Sequence, residues 1–209
     1  MEFFANDIFV CNECGHIFSN IQTNTSIYND VYYRKFIQYS LTSNIDTIRA
    51  DLVEKYVGAG AEISVLDIGY GSGSFLKEMS SRGHECFGYE VSRCNFNVHR
   101  IHEMEGKEFD CISIFDCLEH MDDPYSIFEA KTEVYIVSLP IFRDDISEIF
   151  GWKHYKPTEH KHYFTDSSID KFFMRKDFYK VYLSNVEDEI RGSFFHGKPN
   201  ISTYIFRNN

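Results

Sequence analysis

A doubly wound α/β fold with a mostly parallel sheet is what this sequence predicts, on three observations. Short apolar runs alternate with stretches of helix-like periodicity, one such run ends in a turn with three glycines, and a carboxylate closes the next run. After a polar N-terminal arm (1–44), Ile45, Ile48, Leu52, Val53 and Tyr56 recur at helical spacing, with Gly58 and Gly60 as stop signals. The order that follows is strand 63–68, helix 74–82, strand 86–90, a helix from about Arg93, strand 110–115, helix 124–130 and strand 133–139. Beyond Pro140 an irregular segment rich in aromatics and histidine runs to Thr165. A short helix 166–174 comes next, and strands 178–184 and 201–207 close the chain, with Gly192, Gly197 and Pro199 between them. The expected organisation is an arm over 1–44 and a single catalytic domain over 45–209.

The run Val65-Leu66-Asp67-Ile68-Gly69-Tyr70-Gly71-Ser72-Gly73-Ser74-Phe75-Leu76 reads as strand, glycine turn and helix start. Glycines without a Cβ let the backbone turn tightly and approach a ligand closely, just before a helix N-terminus. Glu90 stands about 20 residues beyond the turn, at the end of the next strand, where a carboxylate accepts hydrogen bonds from ribose hydroxyls. A dinucleotide fingerprint has the form G-x-G-x-x-G. Here Gly69, Gly71 and Gly73 form G-x-G-x-G, and Asp67 stands two residues before the first glycine.

With that spacing the sequence resembles the class I S-adenosylmethionine-dependent methyltransferases, whose first motif has the form Asp-x-Gly-x-Gly-x-Gly. A second stretch, from Phe109 through Asp116-Cys117-Leu118-Glu119-His120 to Asp123-Pro124, resembles that family's fourth strand and Leu-Glu-His loop. The resemblance spans roughly Ile48 to Phe206 and weakens between Cys94 and Asp110, where the family's third strand belongs and the connection here is very short. It implies a Rossmann-like sheet ending in an antiparallel hairpin and S-adenosylmethionine as cofactor. The cofactor residues it points to are Asp67, Gly69, Tyr70, Gly71, Gly73, Glu90, Phe115 and Asp116. Tyr33, beside Tyr32 and Arg34, belongs to an arm that in relatives folds over the cofactor; the tyrosines could equally serve only to pack that arm on the core.

In-line methyl transfer asks the protein to orient the acceptor and remove its proton. Glu119 and His120 follow strand four, where ligands of open α/β sheets bind, although Glu is also favoured in any first helical turn. The segment from His154 to Phe164 resembles, in Glu159-His160-Lys161-His162-Tyr163-Phe164, the family's stretch beside the acceptor pocket. His160 and His162 are therefore the expected bases, with Glu119 and His120 as the other catalytic pair. Metal binding by His160 and His162 is the less favoured alternative, since alternate histidines also occur on ordinary loops.

Cys11-Asn12-Glu13-Cys14-Gly15-His16 has the look of a zinc knuckle, and the stretch from Asp7 to Phe36 resembles the second half of the zinc-ribbon arm of certain sugar C-methyltransferases. A zinc site needs four ligands, and no Cys-x-x-Cys precedes this one. His16, Cys86, Cys94 or another chain could complete a set; the expectation is a reduced remnant without metal.

Of the 209 residues 43% are hydrophobic, and 21 Lys and Arg against 32 Asp and Glu leave a net charge of −11, which disfavours nucleic acid as a substrate. No stretch approaches the ~20 apolar residues of a membrane helix. The start lacks the basic and apolar regions of a secretory leader, and the six cysteines lack a secreted framework. A cytoplasmic location with reduced thiols is expected. The expected function is S-adenosylmethionine-dependent methyl transfer to a small-molecule or saccharide-type acceptor. The alternative is a cofactor-binding partner or regulatory subunit without transferase activity, while the glycine spacing disfavours a nicotinamide enzyme. Acceptor identity and oligomeric state are not legible.

Overall fold

A computed structural model describes residues 2–22, 44–58, 60–91, 99–192 and 194–208. Tyr32, Tyr33, Arg34, the helix expected from about Arg93, and Cys94 lie outside the described residues. The chain divides into two compact units, one of Ser26–Phe115 with Tyr125–Val137, the other of Met1–Thr25, Asp116–Pro124 and Ser138–Asn209.

In the first unit, strand β4 is central. It follows three strands at the N-terminal end of the chain, β1 (Glu2–Ala5), β2 (Ile8–Val10) and β3 (Ile17–Ser19), and spans Ser64–Ile68. It pairs in parallel with β5 (Glu85–Tyr89) on one side and β6 (Cys111–Phe115) on the other. All five residues of β6 are buried, as are Val65 to Ile68 of β4, which is why these strands read as nearly continuous apolar runs. Helix α1 (Ile45–Val57) buries Ile45, Ala50, Leu52 and Val53, and α2 (Ser74–Ser81) buries Phe75, Leu76 and Met79. Arg82, just past α2, joins the two helices: its guanidinium lies 2.7 Å from Asp51, 2.9 Å from Glu54 and 2.9 Å from Glu78. Beyond β5, among the described residues, there is a parallel bridge between Gly88 and Arg100, where Gly88 N–H donates to His99 O and Ile101 N–H to Gly88 O. The segment expected as helix 124–130 is a 3-10 helix, Pro124–Glu129, with Ile127 its one buried side chain. A single apolar anchor gives an α-helix no face to pack, and the tighter turn suffices.

The strand order of the six-stranded sheet is β5-β4-β6-β7-β12-β9, with β7 (Val134–Pro140) buried throughout, followed by β12 (Ile201–Asn208) and, at the edge, β9 (Phe178–Ser184). β12 and β9 are antiparallel, as the resemblance implies. Their connection is richer than expected: it holds helix α4 (Val186–Arg191), which follows α3 (Asp166–Met174), and a short ribbon of β10 (Phe194–Phe195) with β11 (Lys198–Pro199). Thr165 caps α3 through a reciprocal box with Ser168, and Phe173 of α3 stacks on Phe206 of β12 with ring centroids 4.1 Å apart.

The start of the chain is not merely a polar arm. Strands β1, β2 and β3 form an antiparallel meander, and β3 pairs with β8 (His162–Tyr163), Ile17 opposite Tyr163 and Phe18 opposite His162. Ile8, Ile17, Phe142, Ile149, Trp152 and Tyr163 form one core cluster. The first residues therefore share a compact unit with the C-terminal third.

Candidate functional site

Of the residues expected to bind the cofactor, Asp67, Gly69, Tyr70, Gly71, Gly73, Glu90 and Phe115 lie in the first unit, and Asp116 in the second. Gly69, Gly71 and Gly73 adopt φ of 76°, 51° and 73°, a left-handed region that side chains with a Cβ resist, so the turn between β4 and α2 depends on glycine at three alternate positions. The turn closes on β5: Gly69 N–H donates to Tyr89 O at 2.8 Å, and Gly71 N–H donates to the Glu90 carboxylate at 3.3 Å. Glu90 is buried at the end of that strand, so the two halves of the expected nucleoside site meet. Tyr70 is buried within the turn, and Phe115, at the end of β6, packs edge-on against Phe75 with centroids 5.0 Å apart.

Asp67 is buried within the sheet, two residues before the first glycine of the turn. Its register partners are Gly88 on β5 and Ser113 on β6, and Ser113 Oγ donates to its carboxylate at 2.8 Å. Burial pushes its acid up to about 7, opposed by the Ser113 bond and by Arg49. Arg49 of α1 lies over the Phe115 ring at 4.0 Å and 3.9 Å from Asp46. Ser113 and Arg49 escape a reading of the sequence because a buried polar pair across parallel strands leaves no periodic signature.

The residues expected to act as acid or base, Glu119, His120, His160 and His162, lie in the second unit. Asp116, directly after β6, has a left-handed φ of 49°, and its N–H donates to Ser138 O. Arg191 of α4 grips its carboxylate with two nitrogens, at 3.1 and 2.7 Å, and also reaches Glu187 at 2.8 Å. Arg191 was legible in principle: acidic residues at the start of 186–191, a Glu187 to Arg191 pair four apart, and Gly192 after it are helix signals.

Glu119 and His120 form the 3-10 turn Leu118–His120. Glu119 is 2% exposed, and burial pushes its acid up to about 8, with Asp116 adding to the effect. Its Oε2 has no hydrogen-bond partner among the described residues. His120 donates from Nδ1 to Glu159 O at 2.9 Å, and its Nε2 stands 3.8 Å from Glu119 Oε1. His160 meets His120 edge-on, with centroids 4.5 Å apart at 86°. Burial, then the neighbouring His120, lowers the His160 imidazole to about 2, and burial lowers His120 as well. His160, His120 and Glu119 are thus brought together as a dry cluster whose imidazoles are neutral at physiological pH.

His162 is placed differently from His160. Its Nε2 donates to Met121 O at 3.1 Å, and its Nδ1 accepts from His16 Nε2 at 3.0 Å, so both ring nitrogens are engaged by the protein. This joins the knuckle to the loop. At the knuckle itself Cys11 N–H donates to His16 O and Gly15, with φ of 71°, donates back to Cys11 O. The Cys14 and Glu13 backbone N–H groups hold the Cys11 thiol below its usual range, while burial raises that of Cys14.

The profile of the methyltransferase domain family matches residues 33–183, well over half of the chain. The chain belongs to that family. Among relatives of this methyltransferase domain, the ubiquinone biosynthesis O-methyltransferase of Acinetobacter baylyi is 24% identical over 106 residues, covering 41% of this chain and 44% of that protein. The same-named protein of Alkalilimnicola ehrlichii is 27% identical over 106 residues, covering 42% and 43%. The match thus spans less than half the length of these relatives. Two solved structures share the fold. Magnesium protoporphyrin IX methyltransferase from Synechocystis with bound S-adenosylhomocysteine has a TM-score of 0.57 at 14% identity, covering 87% of this chain and 88% of that one. The 1,6-didemethyltoxoflavin-N1-methyltransferase of Burkholderia thailandensis has a TM-score of 0.56 at 14% identity, covering 97% and 99%. The fold is the α/β methyltransferase fold, a mostly parallel sheet with antiparallel C-terminal strands.

Proposed function

We propose that this methyltransferase domain binds S-adenosylmethionine at the β4 glycine turn and passes its methyl group to a small-molecule or saccharide-type acceptor. The observation that carries the reading is the Gly71 N–H aimed at the buried Glu90 carboxylate across a turn of three left-handed glycines. A carboxylate at that place accepts ribose hydroxyls, and glycine backbone admits a ligand where a Cβ would not. The bound cofactor supplies an electrophilic methyl group on a sulfonium. The named acceptors and cofactor of the solved relatives, didemethyltoxoflavin with S-adenosylhomocysteine in one, agree with a small acceptor. The chain's own task is then to hold the acceptor and take its proton. His160 and His120 are neutral imidazoles set edge-on, the two candidate acceptors of that proton. His162, with both nitrogens engaged, orients the loop in this scheme. The short connection between Cys94 and Asp110, where the described residues show a bridge at Arg100, favours, as second reading, a cofactor-binding partner without transferase activity.

Separate calorimetric titrations with S-adenosylmethionine and NAD test the cofactor. Binding of the former is expected, and Glu90→Ala should weaken it roughly ten- to a hundredfold, the worth of a lost charge-assisted hydrogen bond. Gly71→Val adds both bulk and a strained φ and should do at least as much. Unchanged affinity in both folded variants would remove the assignment, and a methyl-release assay over an acceptor panel separates transferase from silent partner.

A further inference from the structure

Cys11 and Cys14 stand at the two ends of one tight turn. Cys11 N–H donates to His16 O and Gly15 N–H to Cys11 O, both at 2.8 Å, and Gly15 takes the left-handed φ of 71° that lets the chain double back. A turn closed by a bond from residue i+4 to residue i sets Cα atoms three residues apart at about 5 Å, within the ~4.4–6.8 Å that a disulfide bridges. Both thiols are free and only half-buried, so a reagent in solution reaches them. Cys111 and Cys86 differ: the first is fully buried, and burial pushes the thiol of the second up to about 11. The surroundings of the turn are basic. Lys171 of α3 donates through Nζ to Glu13 O, and Arg175, just past that helix, stands 3.9 Å from the Glu13 carboxylate. Cationic, partly exposed surroundings favour the thiolate, the form that attacks a disulfide. The backbone N–H groups of Cys14 and Glu13 act in the same direction on Cys11, whereas burial acts the other way on Cys14. Cys11 is thus the attacking sulfur and Cys14 the one that follows.

We propose that Cys11 and Cys14 are a reversible dithiol–disulfide pair that exchanges with a low-molecular-weight disulfide of the glutathione type. The Cys11 thiolate attacks one sulfur of that disulfide; its S–S bond breaks, one thiolate leaves, and a mixed disulfide forms on Cys11. The Cys14 thiol gives its proton to solvent and attacks the Cys11 sulfur, expelling the second thiolate. Both leaving thiolates take up protons. The chain is oxidised by two electrons and loses two hydrogens, and the small disulfide is reduced to two thiols. None of these steps depends on the methyltransferase reading.

The probe is glutathione disulfide, added at neutral pH to the folded, reduced full-length chain. Acid quenching, alkylation under denaturing conditions and mass spectrometry of the peptides read the outcome. The peptide holding Cys11 and Cys14 is expected to lose two hydrogens and to take no alkylating label, while Cys86, Cys111 and Cys117 take it. Dithiothreitol should restore both thiols. Cys14→Ser has no second sulfur and should stop at one glutathione on Cys11. A wild-type chain whose two thiols stay reduced, or that collects glutathione on them without closing the bridge, would overturn the proposal. So would loss of two hydrogens that persists in Cys14→Ser, which would place the bridge elsewhere. One equivalent of zinc in the chain as purified, keeping both thiols unreactive until a chelator removes it, would make the turn a metal site and overturn it as well.

Discussion

Asp67 offers a measurement in which the structure predicts both sign and size. The carboxyl is buried within the sheet, between β5 and β6, and its acid stands at about 7 instead of 3.8. Between those values the folded chain keeps a proton that the unfolded chain has lost. Unfolding free energy therefore falls as pH rises from about 4, and the loss is complete once pH passes about 7. At about 1.4 kcal/mol per unit of pH, the interval amounts to about 4 kcal/mol, a large share of the ~5–15 kcal/mol that holds a domain together. Asp67→Asn keeps the shape and an acceptor for Ser113 but cannot ionise. Urea unfolding of both proteins from pH 4 to pH 8 isolates the effect, because every other titrating group cancels in the difference. Wild type minus variant should decline by about 4 kcal/mol across the range. A flat difference, or one that grows with pH, would refute the claim that this acid is held protonated within the sheet.

Two further outcomes are expected. Once an acceptor is found, His160→Ala should lower turnover by ~10²–10⁴-fold with cofactor affinity nearly intact, whereas His162→Ala should act mainly on stability, because both of its nitrogens are engaged; parallel steady-state kinetics and thermal melts separate the two. Thr165→Ala removes the cap of α3 and should cost about 1 kcal/mol in chemical denaturation without altering cofactor affinity.

What the sequence by itself determined is the glycine turn and the carboxylate that meets it. The three glycines, the buried strand before them and Glu90 after the next strand are local signals, since turn geometry and strand ends are set by residues close along the chain. The final strand pair was legible for the same reason, its apolar runs being bounded by glycine and proline. Tertiary structure alone decided the chemistry of the Glu119–His120–His160 cluster. Glu119 and His160 are far apart in sequence, and burial, with Asp116 beside one and His120 beside the other, raises the first acid to about 8 and lowers the second to about 2. His160 and His162 look equivalent on paper, two residues apart in one histidine-rich run. The β3–β8 pairing brings His16 to His162, and the 3-10 turn brings His120 to His160, so one ring is held by a hydrogen bond to His16 and the other lies edge-on to His120. Asp67 shows the same limit within the motif itself: its place in the motif was plain, but that it is buried within the sheet, bonded to Ser113 and near Arg49, follows from parallel pairing and helix packing that no spacing encodes.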